Sequence, residues 1–184
     1  MQNGLSFSHI GLYVRHIDNM ERFYTSVLGF FVTDHGSLPG PAGNIQLVFL
    51  SRDPDEHHQI VLATGRPETL DFNIINQISL RAFDLATLRE LYERLLAHTE
   101  AYDIQPVTHG NAISVYFRDP EGNRLEIFID TPWYVNQPMR VAVDFSKTNA
   151  QLMESVEAHA RSLPGFEPRT QWRARMATLM GVTN

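Results

Sequence analysis

The chain has 184 residues, 43% of them hydrophobic, with 15 basic against 21 acidic residues and a formal net charge of −6. This fits one compact domain or two small halves sharing a core, and with no basic run it argues against nucleic-acid and anionic-membrane partners. The lack of cysteine excludes disulfides and thiolate metal sites and fits a reducing compartment. Met1 to Ser6 carry no positive stretch and no long apolar run follows, so a soluble cytoplasmic protein is expected.

Phe7 to Val14 is rich in β-formers, with Ile10, Leu12 and Val14 alternating with His9, Gly11 and Tyr13, and reads as a strand with one face on a core. Asp18-Asn19-Met20-Glu21 has the form of a capping box opening a helix that runs to Leu28, with Gly29 as its stop. Phe30 to Asp34 reads as a strand, and Gly36 to Gly43, with Pro39 and Pro41, as a loop. Ile45 to Leu50 and Gln59 to Ala63 follow as strands, joined through Arg52-Asp53-Pro54. After a linker at 64–75 the order repeats. Ile78 to Ala82 is a strand, Asp84 caps a helix from Leu85 to Ala97, and strands follow at Asp103 to Thr108, Ala112 to Phe117 and Leu125 to Ile129. The last two are joined by a second Arg-Asp-Pro, Arg118-Asp119-Pro120. Trp133 to Pro138 looks irregular, and Asn149 to Leu163 has helical apolar spacing and ends at Pro164-Gly165. The stretch from Phe166 onward is weakly informative, although Trp172 implies that it docks somewhere.

The two halves align at an offset of 68 residues. His9 meets Gln77, Ile10 meets Ile78, Leu12 meets Leu80, Phe23 meets Leu91, Tyr24 meets Tyr92 and Leu28 meets Leu96. The fold expected is α+β: two tandem βαβββ modules, 5–66 and 75–132, forming a cupped eight-stranded mixed sheet, with a C-terminal helical extension at 133–184. A site built between the modules draws residues from both.

Side chains alternate across a strand. That parity puts His9, Gln77, Tyr116 and Glu126 on the face away from the helices, where a concave sheet would gather them. Glu126, between Leu125 and Ile127, is costly to bury unless paired or metal-bound. An imidazole, an amide and a carboxylate can hold iron, manganese or zinc and leave positions open for substrate. His57, His58 and His109 stand just outside strands where loops can aim them inward, and Ser114 shares the parity of Tyr116. Alone, each residue has a plainer reading: His9 as a hydrogen-bonded core residue, His57-His58 as a solvated turn, Tyr116 as a core tyrosine. Phe49 and Phe117 are assigned to the core, and His16, His35, His98 and His159 to the surface.

The duplication, together with Tyr116-Phe117-Arg118-Asp119-Pro120-Glu121-Gly122-Asn123-Arg124-Leu125-Glu126, resembles the vicinal oxygen chelate superfamily of glyoxalases, bleomycin- and fosfomycin-resistance proteins and extradiol dioxygenases. Within it the chain is most similar to type I extradiol catechol dioxygenases. That resemblance implies Fe(II), with Mn(II) or Zn(II) as alternatives, held by His9, Gln77 and Glu126. It implies His58 as acid–base residue with His57 as fallback, and Tyr116 and His109 as contacts to the substrate oxygens. The departure is Gln77, where the dioxygenase pattern has His. The fourth ligand of a glyoxalase falls near Val61, which cannot coordinate. The activity implied is ring cleavage of a catechol-like aromatic diol with O2, in a protein that forms a homodimer. The alternatives are another metal-dependent enzyme of the superfamily, an isomerase or lyase, or a non-catalytic small-molecule-binding resistance protein.

Overall fold

In the computed structural model, which describes residues 6–41, 43–70 and 72–182, the expected alternation sets the strand faces. β1 (Ile10–Val14) buries Leu12 and Val14 and turns Gly11 and Tyr13 outward. α1 (Ile17–Ser26) buries Ile17, Met20, Phe23 and Tyr24. It starts one residue before Asp18, with His16 as an N-cap that makes no side-chain cap bond, so the expected capping box is absent. The cap comes instead from the other half of the chain. Glu121 Oε1 accepts the backbone N–H groups of Arg15 (2.7 Å) and His16 (2.8 Å). A carboxylate there satisfies orphan donors and complements the helix dipole. Gly29, at φ 71°, ends the helix as expected.

β2 (Phe31–Gly40) and β3 (Gly43–Ser51) form one long hairpin, so residues 36–43, expected as a loop, are largely strand. Pro39 is tolerated because β2 is the edge of the sheet, whose order is β1-β4-β3-β2 with β4 at Ile60–Thr64. β1 and β4 pair in parallel.

The second module repeats the plan. β5 (Ile78–Arg81) pairs in parallel with β8 (Arg124–Asp130), and β6 (Tyr102–Thr108) and β7 (Ala112–Arg118) complete the order β6-β7-β8-β5. α2 (Leu85–Ala97) is capped as expected by Asp84, which accepts the Thr87 N–H at 2.8 Å. The eight expected strands are thus two hydrogen-bonded sheets of mixed direction. The second is widened to five strands by β10 (Val141–Ala142), which pairs with β6.

A single core joins the modules. Phe23 lies 6.5 Å from Phe117 and meets His98 edge-on at 5.4 Å, so His98 is half-buried rather than on the surface. The turn from Arg118 to Asn123 locks the join. Asp119, wholly buried, accepts the N–H groups of Glu121 (3.0 Å) and Asn123 (2.9 Å), the Asn123 side-chain amide (2.8 Å) and the Tyr24 hydroxyl (3.2 Å). Arg66 Nη1 approaches Glu121 Oε2 at 3.4 Å and donates to Asn123 Oδ1 at 2.9 Å.

Beyond the modules, Trp133–Tyr134, expected as irregular, forms a short strand β9 paired with β11 (Glu167–Pro168). α3 (Asn149–Arg161), opened by a Thr148–Gln151 capping box, buries Leu152, Val156 and Ala160, and α4 (Arg169–Leu179) follows β11. No described helix is long and apolar enough to cross a membrane. The reading of residues 1–5 as lacking a targeting signal lies outside the described residues.

Gly110 has φ 73°, its carbonyl accepts from Thr131 Oγ1 (2.9 Å) and Trp133 Nε1 (2.7 Å), and an added Cβ would collide with the Val135 side chain. Gly110→Ala is expected to cost about 2–3 kcal/mol of stability in urea titration, through left-handed strain and overpacking together. A loss below about 0.5 kcal/mol would show that this junction relaxes freely.

Candidate functional site

The register of the second sheet gathers one set of polar side chains. Ser79 pairs with Glu126, and Glu126 with Tyr116. Gln77, two residues before Ser79, shares its face. They border a cavity of about 340 Å³ to which His109, Tyr134, Arg169 and Trp172 also contribute. A larger depression of about 810 Å³ lies beside Asp18, Arg22 and Gln46, but none of these polar groups lines it.

Glu126 is 7% exposed. Its Oε2 accepts from Ser79 Oγ at 2.6 Å and from Gln77 Nε2 at 3.0 Å. Its Oε1 is 3.7 Å from His109 Nε2, the one ion-pair candidate for this carboxylate among the described residues. The His109 tautomer follows from its other nitrogen. Nδ1 lies 2.7 Å from the Met139 carbonyl, which can only accept, so Nδ1 carries the hydrogen. In the neutral ring Nε2 then accepts from the Tyr116 hydroxyl at 3.0 Å. Arg124 and Arg140 lie over the Tyr116 ring at 4.5 and 5.4 Å.

Burial, reinforced by the Glu126 carboxylate, pushes the Tyr116 phenol up to about 12 from 10.0. The folded state therefore holds this proton more tightly than the unfolded chain. The stability it contributes is complete below about pH 10 and lost as pH rises through about 12. In a phenolate absorbance titration, the difference between wild type and Tyr116→Phe should appear only near pH 12. A difference at pH 10 would contradict the buried hydrogen-bonded phenol.

The other expected residues form a separate group. His9, just before β1, is exposed, has Nδ1 3.2 Å from Ser8 Oγ, and places its ring 4.2 Å from that of His58. His57 and His58 meet Nδ1 to Nδ1 at 2.8 Å, and both pack edge-on against Phe49. Phe49 is therefore not a core residue; Val48 and Leu50 fill the core face of β3, which turns Phe49 to the opposite side. Burial first, then the charges of His9 and His57, lowers the His58 pKa below 6.5, which leaves the ring neutral at pH 7. Among the described residues, no three His, Cys, Asp or Glu side chains converge as a metal site. The two groups are still neighbours along the chain edges, since Ser8 and Ile10 flank one groove with Gln77 and Ser79.

The structure thus brings Gln77, Tyr116, His109 and Glu126 together and sets His9 beside His57 and His58. Ser79 was legible in the sequence, being two residues from Gln77 on a strand. Tyr134, Arg169 and Trp172 were not, because only the β9–β11 pairing carries them back to the second sheet. Ser114 is fully buried, and its hydroxyl has no partner among the described residues.

Two βαβββ modules enclosing a face of this kind define a class. The profile of the Glyoxalase/Bleomycin resistance protein/Dioxygenase superfamily matches residues 6–127, and the chain belongs to that superfamily. Among proteins of known activity it is 32% identical over 130 residues to biphenyl-2,3-diol 1,2-dioxygenase 3 of Rhodococcus globerulus, covering 67% of this chain. It is 29% identical over 128 residues to biphenyl-2,3-diol 1,2-dioxygenase 2 of the same organism, again over 67% of the chain. The match spans 62% of the length of each of these relatives. Among solved structures, a glyoxylase/bleomycin resistance protein/dioxygenase domain from Frankia sp. EAN1pec superposes with a TM-score of 0.57 at 23% identity, covering 69% of this chain and 98% of that one. That similarity concerns the fold.

Proposed function

We propose that the chain is a metal-dependent, extradiol-type dioxygenase that opens the ring of a catechol-like aromatic diol. The observation that carries this reading is the Glu126–Tyr116–His109 arrangement, a buried carboxylate and a tautomer-fixed imidazole joined through one phenol at the edge of the cavity. Similarity to two biphenyl-2,3-diol dioxygenases supports the substrate class.

The donor chemistry fits a divalent cation. Glu126 is buried without an Arg or Lys partner among the described residues, a situation that a cation relieves. Gln77 directs its Nε2 at Glu126 and Ser79, and its amide oxygen makes no protein hydrogen bond among the described residues. Glu126 and Gln77 would hold the metal from the cavity wall; His9 stands outside that cavity beside His58 and would have to turn across the groove shared by its neighbours Ser8 and Ile10 with Gln77 to add an imidazole, and the three donors together suit Fe(II) first, then Mn(II) or Zn(II). A divalent cation held by these residues would supply Lewis-acid polarisation to a bound diol. On diol binding the Tyr116 O–H, which otherwise donates to His109 Nε2, would turn to a substrate oxygen, and the freed Nε2, with Nδ1 anchored on Met139, would take a diol proton. His58, neutral at pH 7, supplies a second base if the diol reaches the first module. Val61, on the outward face of β4 beside Gly11 and Phe49, leaves the glyoxalase ligand set incomplete.

Gln77→His tests the ligand assignment. Imidazole is the better donor for Fe(II), so iron affinity should rise at least about tenfold, with ring cleavage retained or increased. A Gln77→Ala variant that keeps its full metal content would remove Gln77 from the set. A second reading is favoured by one observation, the bonding of Glu126 by Gln77 and Ser79 within the protein. In that reading the pocket binds its ligand without metal, and chelator-treated protein would bind catechol as tightly as metal-loaded protein.

A further inference from the structure

The family match ends at residue 127, yet part of the cavity wall comes from the chain beyond it. Trp172, on the first turn of α4, stacks on Tyr134 of β9, with ring centroids 5.2 Å apart and planes 15° from parallel. Tyr134 is held by pairing with Glu167 of β11. The start of α4 is clamped twice, by the Arg169 N–H on the Pro132 carbonyl (2.9 Å) and by Arg169 Nη2 on Asp130 Oδ1 (2.9 Å). Arg175 pairs with Glu167 one turn further on. No residue of α4 is buried, so these fastenings, rather than core packing, fix where Trp172 stands.

The cavity wall therefore joins two unlike kinds of lining. Gln77, His109, Tyr116 and Glu126, with Asp130 and Arg169, offer hydrogen bonds or charge, and Tyr134 and Trp172 offer flat aromatic surface. A volume of about 340 Å³ lies at the small end of the roughly 300–1,000 Å³ usual for ligand pockets. Such a space suits a short, flat molecule that carries both a hydrogen-bonding group and an aromatic part.

We propose that the β9–α4 segment is the specificity element of this pocket. Trp172, backed by Tyr134, selects diols that carry a second aromatic group over bare catechol. Tyr134, Arg169 and Asp130 act as positioning residues for Trp172. This proposal rests on the diol-binding reading above but not on metal loading or turnover.

The test uses the full chain in two forms, as purified and chelator-treated, and reads dissociation constants by titration calorimetry for catechol and for 3-phenylcatechol. Wild type should bind 3-phenylcatechol roughly tenfold more tightly, since stacking on an aromatic side chain adds to area burial. Trp172→Ala and Trp172→Leu should bring the ratio of the two constants close to one, and Trp172→Phe should keep most of it. Arg169→Ala, which removes the clamp on Asp130 while keeping the Trp172 side chain, should lower the ratio in part. Fluorescence gives a second readout, because 3-phenylcatechol should quench wild type and leave the emission of Trp172→Phe, which retains only the buried Trp133, nearly unchanged. No preference in wild type, or the wild-type ratio in Trp172→Ala and Trp172→Leu, would overturn the proposal. A preference that depends on Trp172 in a protein that never consumes O2 would leave this proposal standing and remove the dioxygenase reading alone. Ring cleavage with a ratio indifferent to Trp172 would do the reverse.

Discussion

Asp119→Ala is expected to destabilise the protein by about 3–4 kcal/mol, read as a shift in the urea midpoint. The carboxylate accepts four hydrogen bonds, two from the backbone of its own turn, one from the Asn123 amide and one from Tyr24 of the other module. Each buried donor left without an acceptor costs roughly 1–3 kcal/mol, and the charge removed was itself costly to bury, so the net loss falls below the simple sum. The pH dependence gives a sharper test. Burial pushes the Asp119 carboxyl above its ordinary 3.8, outweighing the hydrogen bonds that pull it down. The folded protein thus binds this proton more tightly than the unfolded chain. The stability that Asp119 contributes is complete below about pH 3.8 and declines as pH rises through the folded value. The stability gap between wild type and Asp119→Ala should therefore narrow from acid toward neutral pH. A gap that widens over that range would mean that the carboxylate is stabilised in its charged form.

Glu126→Ala and His109→Ala should both abolish most ring cleavage, for different reasons. Glu126 is assigned to the metal, so Glu126→Ala should lose bound iron and activity together. His109 is assigned to proton handling. His109→Ala should keep its iron and lose roughly 10²- to 10⁴-fold in kcat, the range typical of a removed general acid or base. Its loss also frees the Tyr116 hydroxyl to donate to Glu126 alone. Retained activity in His109→Ala with normal iron would take His109 out of the chemistry. Retained iron in Glu126→Ala would take Glu126 out of the ligand set.

The parts of this structure that sequence alone made visible are those governed by neighbours. Asp84 caps α2 because its partner is three residues away, Gly29 ends α1 through its own backbone, and the period of two in β5, β7 and β8 fixes which of their residues face the cavity. Parity alone put Gln77, Tyr116 and Glu126 on one surface. The misreadings share a different origin. Asp18 was passed over as a cap because Glu121, 105 residues beyond His16, reaches the same end of the helix. Residues 36–43 have the composition of a loop, yet an edge strand accepts Pro39 and the hairpin continues through it. The second Arg-Asp-Pro turn read as a strand connection and part of the family resemblance, and its structural work is to hold the modules together. Its counterpart Asp53 stays exposed. The aromatic wall at Tyr134 and Trp172 depends on a two-residue strand pair that carries no periodic signal.

The most direct test of the central claim is a single-turnover oxygen experiment. The protein is loaded with Fe(II) under anaerobic conditions, its iron content is measured, catechol or 3-phenylcatechol is added, and air is then admitted while dissolved O2 and the ring-opened product are followed. The proposed function predicts one O2 consumed for each diol opened, with no consumption by iron-free protein or by Glu126→Ala. Iron-loaded protein that binds the diol and leaves both O2 and the ring intact would contradict it.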